Sequence, residues 1–353
     1  MRIIFFTRYT RNGASSRLRS YQYLSYLNSL GCECIYFPLH SDTYLRLLYS
    51  KKFRGFQAIL SYSLRLKTLM CVKKDDIIFI EKELFPYIPS FFEYLLWKCG
   101  FKFIVDYDDA IHHNYDKNQS IFIRLLLGNK ISKIMRKANY VIVGNKYLYD
   151  YAKNNGVSNL IKIPTVVDGN KYFNKSSNNN IVNIGWIGTP ATSYFIKPLL
   201  PLFESLHKKF NINFTFVGAR QEDFNYNFIK CVDWHENSEV EAIQSFDIGI
   251  MPLGDSYFEK GKCGYKLIQY MACGIPVVAS SIGENIFIVD HAKNGYLASS
   301  IRDWNNYLNR LILDKTLRDK LGEEGLLKIN ARYTISSQGP KLLETLKKVN
   351  AHS

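Results

Sequence analysis

No run in this 353-residue sequence approaches eighteen consecutive apolar residues, so no membrane-spanning helix is expected. The seven cysteines are odd in number and include no CxxC pair, and no Cys/His cluster has zinc-ligand spacing. That argues against a disulfide framework and a structural zinc, and for reduced thiols in a cytoplasmic protein. Cys32 and Cys34 stand too close together for an ordinary bridge. Acidic residues are missing from Arg46 to Lys74, a stretch with eight basic ones. Despite that excess of base no nucleic-acid-binding module is recognisable, and no nucleic-acid partner is expected. The opening MRIIFFTRYTRNG has an apolar run interrupted too soon by arginine for a signal peptide and reads as a first β-strand.

What is present is a chain comfortable for two domains, with 47% hydrophobic and 15% aromatic residues to fill two cores. Residues 1–175 carry 27 Lys+Arg against 13 Asp+Glu, and the remainder 19 against 18, so nearly the whole net charge of +15 sits on the first half. Between Arg46 and Lys74 the cations alternate with Leu47, Leu48, Tyr49, Phe53, Phe56, Ile59, Leu60, Leu69 and Met70. A basic amphipathic segment of this kind fits an anionic membrane surface. The plainer alternative is a solvated face on an ordinary helix pair.

RIIFFTRY, CECIYFPL, DIIFIEK, KFIVDYDD and YVIVGN read as strands alternating with helical segments. In the second half NIGWIGT, FTFVGA, DIGIMPL and PVVAS repeat the design. The alternation predicts two doubly wound parallel sheets. SRLRSYQYLSYLNSLG reads as one helix closed by Gly31, and the polar SSNNN stretch (176–180) as a hinge. The expected domains are 1–175, basic and acceptor-binding; 181–335, nucleotide-sugar-binding; and 336–353, a C-terminal helix returning to the first domain.

The densest information lies in EKGKCGYKLIQYMACGIPVV, from Glu259 to Val278. It reads as a glycine-bearing loop, a short helix with Leu267, Ile268, Met271 and Ala272 on its apolar face, a stop at Gly274–Pro276, and a buried strand. A helix N-terminus after such a loop favours anions, and Lys262 and Lys266 place cations there, so the segment reads as a phosphate site. Solvated loop charge is the alternative for the two lysines. Gly188 and Thr189, after the strand NIGWI, offer close backbone approach to a phosphate or sugar, or form only a tight turn. Arg220, at the end of FTFVGA, is a further candidate for the diphosphate or base. Arg17 falls in the first turn of a helix, where a cation is unfavourable, and so hints at an anionic ligand.

The same segment resembles the C-terminal signature of GT-B glycosyltransferases, most closely glycosyltransferase family 4 (the group 1 type). Met271, Ala272, Gly274, Pro276, Val277 and Val278 carry the match. IPTVVD at Ile163–Asp168 resembles the family's crossing between domains. SEVEAIQSFDIGIMPL resembles the acidic helix and strand that precede the signature, and the closing helices look like those leading back to the first domain. The resemblance implies a GT-B fold of two Rossmann-like domains facing a cleft. It also implies backbone amides around Gly264 and Tyr265 holding a donor diphosphate, and a ribose-binding residue at Gln269. Two family glutamates are missing: the first falls on Gly261 and the second on Gln269, with Glu259 a substitute for the first by a loop shift. The family's usual Arg and Lys after the NIGWI strand are also absent. Gly13 fits the family's first glycine loop.

Asp108 and Asp109, in VDYDDAIHH, end a strand where family members often carry a histidine near the donor sugar. They are candidates to bind acceptor hydroxyls or stabilise charge at the anomeric carbon, and Glu83 is a lower-ranked candidate. Asp106-Tyr107-Asp108 imitates the Asp-x-Asp metal motif of another fold, but the second-half signature argues against a metal. His112 and His113 read as polar surface residues. The catalytic candidates are therefore Asp108, Asp109, Glu259 and Lys266. The resemblance implies a retaining, metal-independent enzyme with no cofactor, using a nucleotide-diphosphate sugar. The implied acceptor is a glycan on a polyprenyl diphosphate at the inner membrane face, in assembly of a surface polysaccharide of O-antigen, lipopolysaccharide or capsule type. The alternatives are a catalytically weak binding or scaffolding relative, or a GT-B-like epimerase or phosphorylase.

Overall fold

The computed structural model describes residues 1–50, 52–173 and 181–351; the SSNNN stretch and Lys51 lie outside them. The chain divides into two compact units. One is Met1–Thr165 with Gly261–Cys263 and Gln338–Ser353, and the other is Val166–Lys260 with Gly264–Ser337.

In the first unit, β1 (Arg2–Tyr9), β2 (Glu33–His40), β3 (Ile77–Glu81), β4 (Lys102–Tyr107), β5 (Tyr140–Val143) and β6 (Leu160–Lys162) form one sheet in the order β2-β1-β3-β4-β5-β6. Every pairing is parallel. Parallel strands buried on both faces need continuous apolar runs, which is why IIFF and IIFI carry no alternation. Ile4, Phe6, Ile78 and Ile80 turn one face toward Leu96, Ile131, Ile134 and Leu148 of the covering helices. The order reverses direction between β1 and β3, and ligands of such sheets gather at the strand C-terminal ends beside that reversal.

In the second unit, β7 (Val182–Ile187), β8 (Ile212–Val217), β9 (Ile229–Val232), β10 (Ile248–Met251), β11 (Val277–Ser280) and β12 (Gly295–Ala298) are ordered β12-β11-β10-β7-β8-β9, again all parallel. Its reversal lies between β7 and β10. Trp186, Phe214, Phe216 and Ile250 pack on one side against Phe203, Leu308 and Leu311. Ile187, Val217, Val277 and Ala279 pack on the other with Leu267, Ile268 and Met271. Gly185 is required by this packing, since a Cβ there would lie 2.0 Å from the Phe246 ring.

Three strands escaped the sequence reading: β6, β9 and β12, which are three or four residues long. The helix read as one piece after the first loop is broken into Ala14–Arg19, a 3-10 turn Tyr21–Tyr23, and Leu24–Ser29, because Ser20 leaves the helical region. Gly31 closes it at φ +75°, the left-handed conformation expected of a glycine stop.

Candidate functional site

At the reversal of the second sheet, β7 is followed by Gly188 and β10 leads to the helix Tyr265–Ala272. Gly264 caps that helix at φ +65°, and Leu267 and Ile268 return their N–H groups to the Gly264 carbonyl at 3.0 and 3.4 Å. Gly274 adopts φ +69° past its end, as the stop signal requires. The lysine on the first turn is not splayed into solvent: Lys266 Nζ lies 4.1 Å over the ring centroid of the buried Trp186. An ideal Cβ on Gly188 would stand 2.8 Å from that same ammonium. Gly188 and Lys266, read separately from the sequence, therefore meet at one point.

The amide of Gly188 is spent on the Val217 carbonyl at 2.9 Å, so this residue contributes closeness rather than a donor. Thr189 is exposed, with its N–H 3.3 Å from Thr192 Oγ1. Arg220 is exposed and lies 3.5 Å from Glu222. Gln269 is buried and its amide donates to Tyr172 Oη at 2.9 Å. Tyr172 in turn donates to Glu239 Oε1 at 2.8 Å, while Trp234 Nε1 donates to Glu239 Oε2 at 2.6 Å. A carboxylate, that of Glu239, thus stands two residues along the hydrogen-bond chain from position 269, on another helix. Sequence reading missed Glu239, Tyr172 and Trp234, whose only signal was the acidic start of SEVEAIQ. Glu259 is buried and accepts from the Ser256 amide at 3.2 Å and from the Ser256 hydroxyl, capping the short helix Tyr257–Lys260.

The first unit holds a second constellation, also at its sheet reversal. Glu81, the last residue of β3, accepts from Ser15 Oγ (2.7 Å), Ser16 Oγ (2.5 Å) and the Arg8 amide (2.8 Å). Lys82 follows in the left-handed region, φ +67°, where a side chain is strained by about 1–2 kcal/mol. Its ammonium lies 3.0 Å from Asp108 and 3.8 Å from Asp109. Asp108 also accepts from Ser15 at 2.8 Å. Burial acts to raise Asp108, but Lys82 and then Arg19 hold it below the usual carboxylate range. Burial and then Asp108 push Asp109 above that range, against the pull of Lys82 and Lys262. The two adjacent carboxyls are thus driven apart in proton affinity, Asp108 toward the carboxylate and Asp109 toward the acid.

Asp106 is taken up by Arg19, whose Nε and Nη2 reach its two oxygens at 2.9 and 2.5 Å, which leaves the Asp-x-Asp triplet a structural fork. Glu83 is equally occupied, by Lys130 at 2.5 Å and Tyr115 at 2.8 Å. Arg17 is buried, and Gly13 is explained by Tyr9, whose Cβ would be 2.4 Å from a methyl there. Lys262 belongs to the first unit and Lys266 to the second. His112 is buried and stacked 3.8 Å from Tyr151, contrary to the surface reading. His112, His113 and Asp116 are near one another, but the ring nitrogens of His113 meet Asp116 and Tyr147 at 2.8 and 2.7 Å.

Position 261 carries the sharpest departure. A Cβ on Gly261 would lie 2.4 Å from Ala110 Cβ and 3.1 Å from its backbone nitrogen. The Gly261 carbonyl accepts from Asn145 Nδ2 at 2.5 Å, and Cys263 Sγ lies 2.9 Å from the Asp108 carbonyl, so the loop is pinned. No glutamate fits at this position.

Residues 178–314 match the family described as "Glycosyl transferases group 1". A search of the curated proteins finds no match to this sequence. Among solved structures, sucrose-phosphate synthase from Thermosynechococcus elongatus superposes with a TM-score of 0.76 at 14% identity, covering 100% of both chains. A glycosyltransferase from Rickettsia africae gives 0.72 at 16%, covering 100% of this chain and 99% of that one. HepE from Anabaena, solved with UDP and glucose, gives 0.72 at 14%, covering 99% and 100%.

The fold is GT-B.

Within a GT-B protein, the group 1 match covers the β7 to β12 sheet that brings Gly188 and Lys266 together.

Proposed function

We propose that this GT-B protein is a retaining glycosyltransferase that moves a sugar from a nucleotide-diphosphate donor to a glycan acceptor carried on a polyprenyl diphosphate. Surface-polysaccharide assembly is the proposed setting. The observation that carries the reading is the meeting of Gly188 with the Trp186-braced Lys266 beside a helix N-terminus, inside the group 1 match. Breaking the anomeric bond leaves charge on the β-phosphate, and a braced ammonium with helix amides would stabilise it. The leaving phosphate would help deprotonate the acceptor, so neither a metal nor a strong side-chain base is required. The first unit's Asp108 and Asp109 would handle acceptor hydroxyls. The Arg46–Lys74 segment would bring the protein to the membrane: Phe53, Phe56, Ile59 and Met70 are exposed there, though Arg65 is buried against the Thr7 and Phe37 carbonyls.

A second reading has its own support. With position 261 closed by Ala110 and Gln269 turned to Tyr172, a nucleotide-sugar-binding relative without transfer activity also fits. A panel of nucleotide sugars read by thermal shift, then transfer assays on membrane extracts with and without chelator, separates the two. Stabilisation followed by chelator-resistant transfer is expected. Binding without transfer moves the assignment to the second reading, and loss on chelation overturns metal independence.

A further inference from the structure

From Lys117 to Tyr149 the chain carries seven basic residues and no acidic one. Two helices of this stretch present outward faces of complementary character, one apolar and one basic. In Ile121–Leu127, four large apolar side chains face solvent: Ile121 (55%), Phe122 (74%), Leu125 (78%) and Leu126 (73%). Lys130–Lys137 follows after two residues, with Lys133, Arg136 and Lys137 at the i, i+3, i+4 spacing that puts them on one side. Between that helix and Phe91–Lys98 lies a groove of about 330 Å³. Its wall is Pro89, Phe91, Tyr94 and Ile134, and its rim is Lys133, Arg136 and Lys137. Lys137 Nζ sits 3.4 Å over the ring of Trp97, itself partly exposed. The one acid in the lining, Glu93, is buried and accepts from the Leu84 amide at 2.9 Å, so the charge shown to solvent is positive.

We propose that this groove seats an anionic phospholipid of a bilayer, its phosphate on the Lys133–Arg136–Lys137 rim and its chain along Phe91 and Tyr94, with the helix Ile121–Leu127 inserted beside it. An apolar wall with a cationic rim matches the two ends of such a lipid, and neither a soluble anion nor an uncharged apolar partner would use both. Four exposed apolar side chains in seven residues are what an interfacial helix buries in the acyl boundary. The site is separate from the Arg46–Lys74 segment and extends membrane docking to a second surface. It stands apart from the transferase reading, because lipid binding is measured with no donor or acceptor present.

The test is co-sedimentation of the full chain with vesicles of phosphatidylglycerol and phosphatidylcholine, and of phosphatidylcholine alone. Three double variants are compared: Lys133→Ala with Arg136→Ala, Phe122→Ser with Leu125→Ser, and Lys52→Glu with Arg54→Glu. All six side chains but one are exposed, Arg54 being half-buried, and circular dichroism checks folding. The rim pair is expected to lose about twenty-five-fold in affinity for the anionic vesicles, at roughly fivefold per cation. The Phe122/Leu125 pair is expected to lose at least as much. The Lys52/Arg54 pair reports on the other surface. Brominated phosphatidylglycerol should quench a fluorescence component that Trp97→Phe removes. Three results overturn the proposal: equal binding to both vesicle types, competition by millimolar inorganic phosphate, or a dimer in solution that the Phe122/Leu125 pair dissociates.

Discussion

Gly188→Ala tests the candidate donor site through a single methyl group. The added Cβ would lie 2.4 Å from Trp186 Cη2 and Cζ2, and 2.8 Å from Lys266 Nζ. The indole is fully buried among Phe203, Phe216 and Ile250 and has no room to retreat, so local overpacking should cost about 1–3 kcal/mol of stability. The ammonium is the movable partner and should swing off the ring, losing a cation–π contact of about 0.5–2 kcal/mol. Its charge-assisted bond to a diphosphate, about 1.5–3 kcal/mol, goes with it, which corresponds to tenfold or more in Kd. Isothermal titration with the nucleoside diphosphate selected by the panel measures this for Gly188→Ala, Lys266→Ala and the double variant. If the glycine acts by leaving space for the lysine, Gly188→Ala should add less than about twofold in the Lys266→Ala background. Full additivity would refute that coupling, and unchanged affinity in Lys266→Ala would remove the lysine from the site.

Two further predictions concern the first unit. His40 and His112 are both buried; burial first, then Arg8, Arg65 and Arg54 around His40 and His113 around His112, push each down to about 3 from 6.5. The unfolded chain therefore binds these protons first, so stability is complete above about pH 6.5 and falls as pH drops toward 3. Between pH 7 and 5 each histidine should remove about 2 kcal/mol. Urea unfolding at pH 7, 6 and 5 should show a shallower fall in His40→Asn and in His112→Asn; unchanged slopes would contradict neutral burial. Lys82→Met should destabilise by about 3–5 kcal/mol by leaving Asp108 and Asp109 without their cation. Lys82→Gly, which also relieves the left-handed backbone, should lose up to about 1 kcal/mol less; a methionine variant as stable as the parent would refute the pairing.

The sheets were legible because central parallel strands such as IIFFT and DIIFI have to be apolar on both faces, and a glycine stop such as Gly274 has few other uses. The edge strands β6, β9 and β12 were not, since three or four residues with one neighbour need little pattern. Gly188 and Lys266 were each found, but their meeting required knowing that β7 and β10 are neighbours across the reversal. Lys82 was missed because nothing local distinguishes a lysine at positive φ from one on a surface. Its partners Asp108 and Asp109 lie a whole strand crossover away. Glu83 was read as a ligand group for the converse reason: a strand-end carboxylate looks available until Lys130 and Tyr115 are placed around it.

The closed position at Gly261 limits what single substitutions can do there. Placing a carboxylate there by one substitution would drive a side chain into Ala110, and shortening Ala110 to glycine would still leave its backbone nitrogen at 3.1 Å. Accommodating it needs the main chain itself to move, against the anchors from Asn145 and Cys263. A carboxylate at this position is therefore not one mutation away: the loop and its anchors would have to change together.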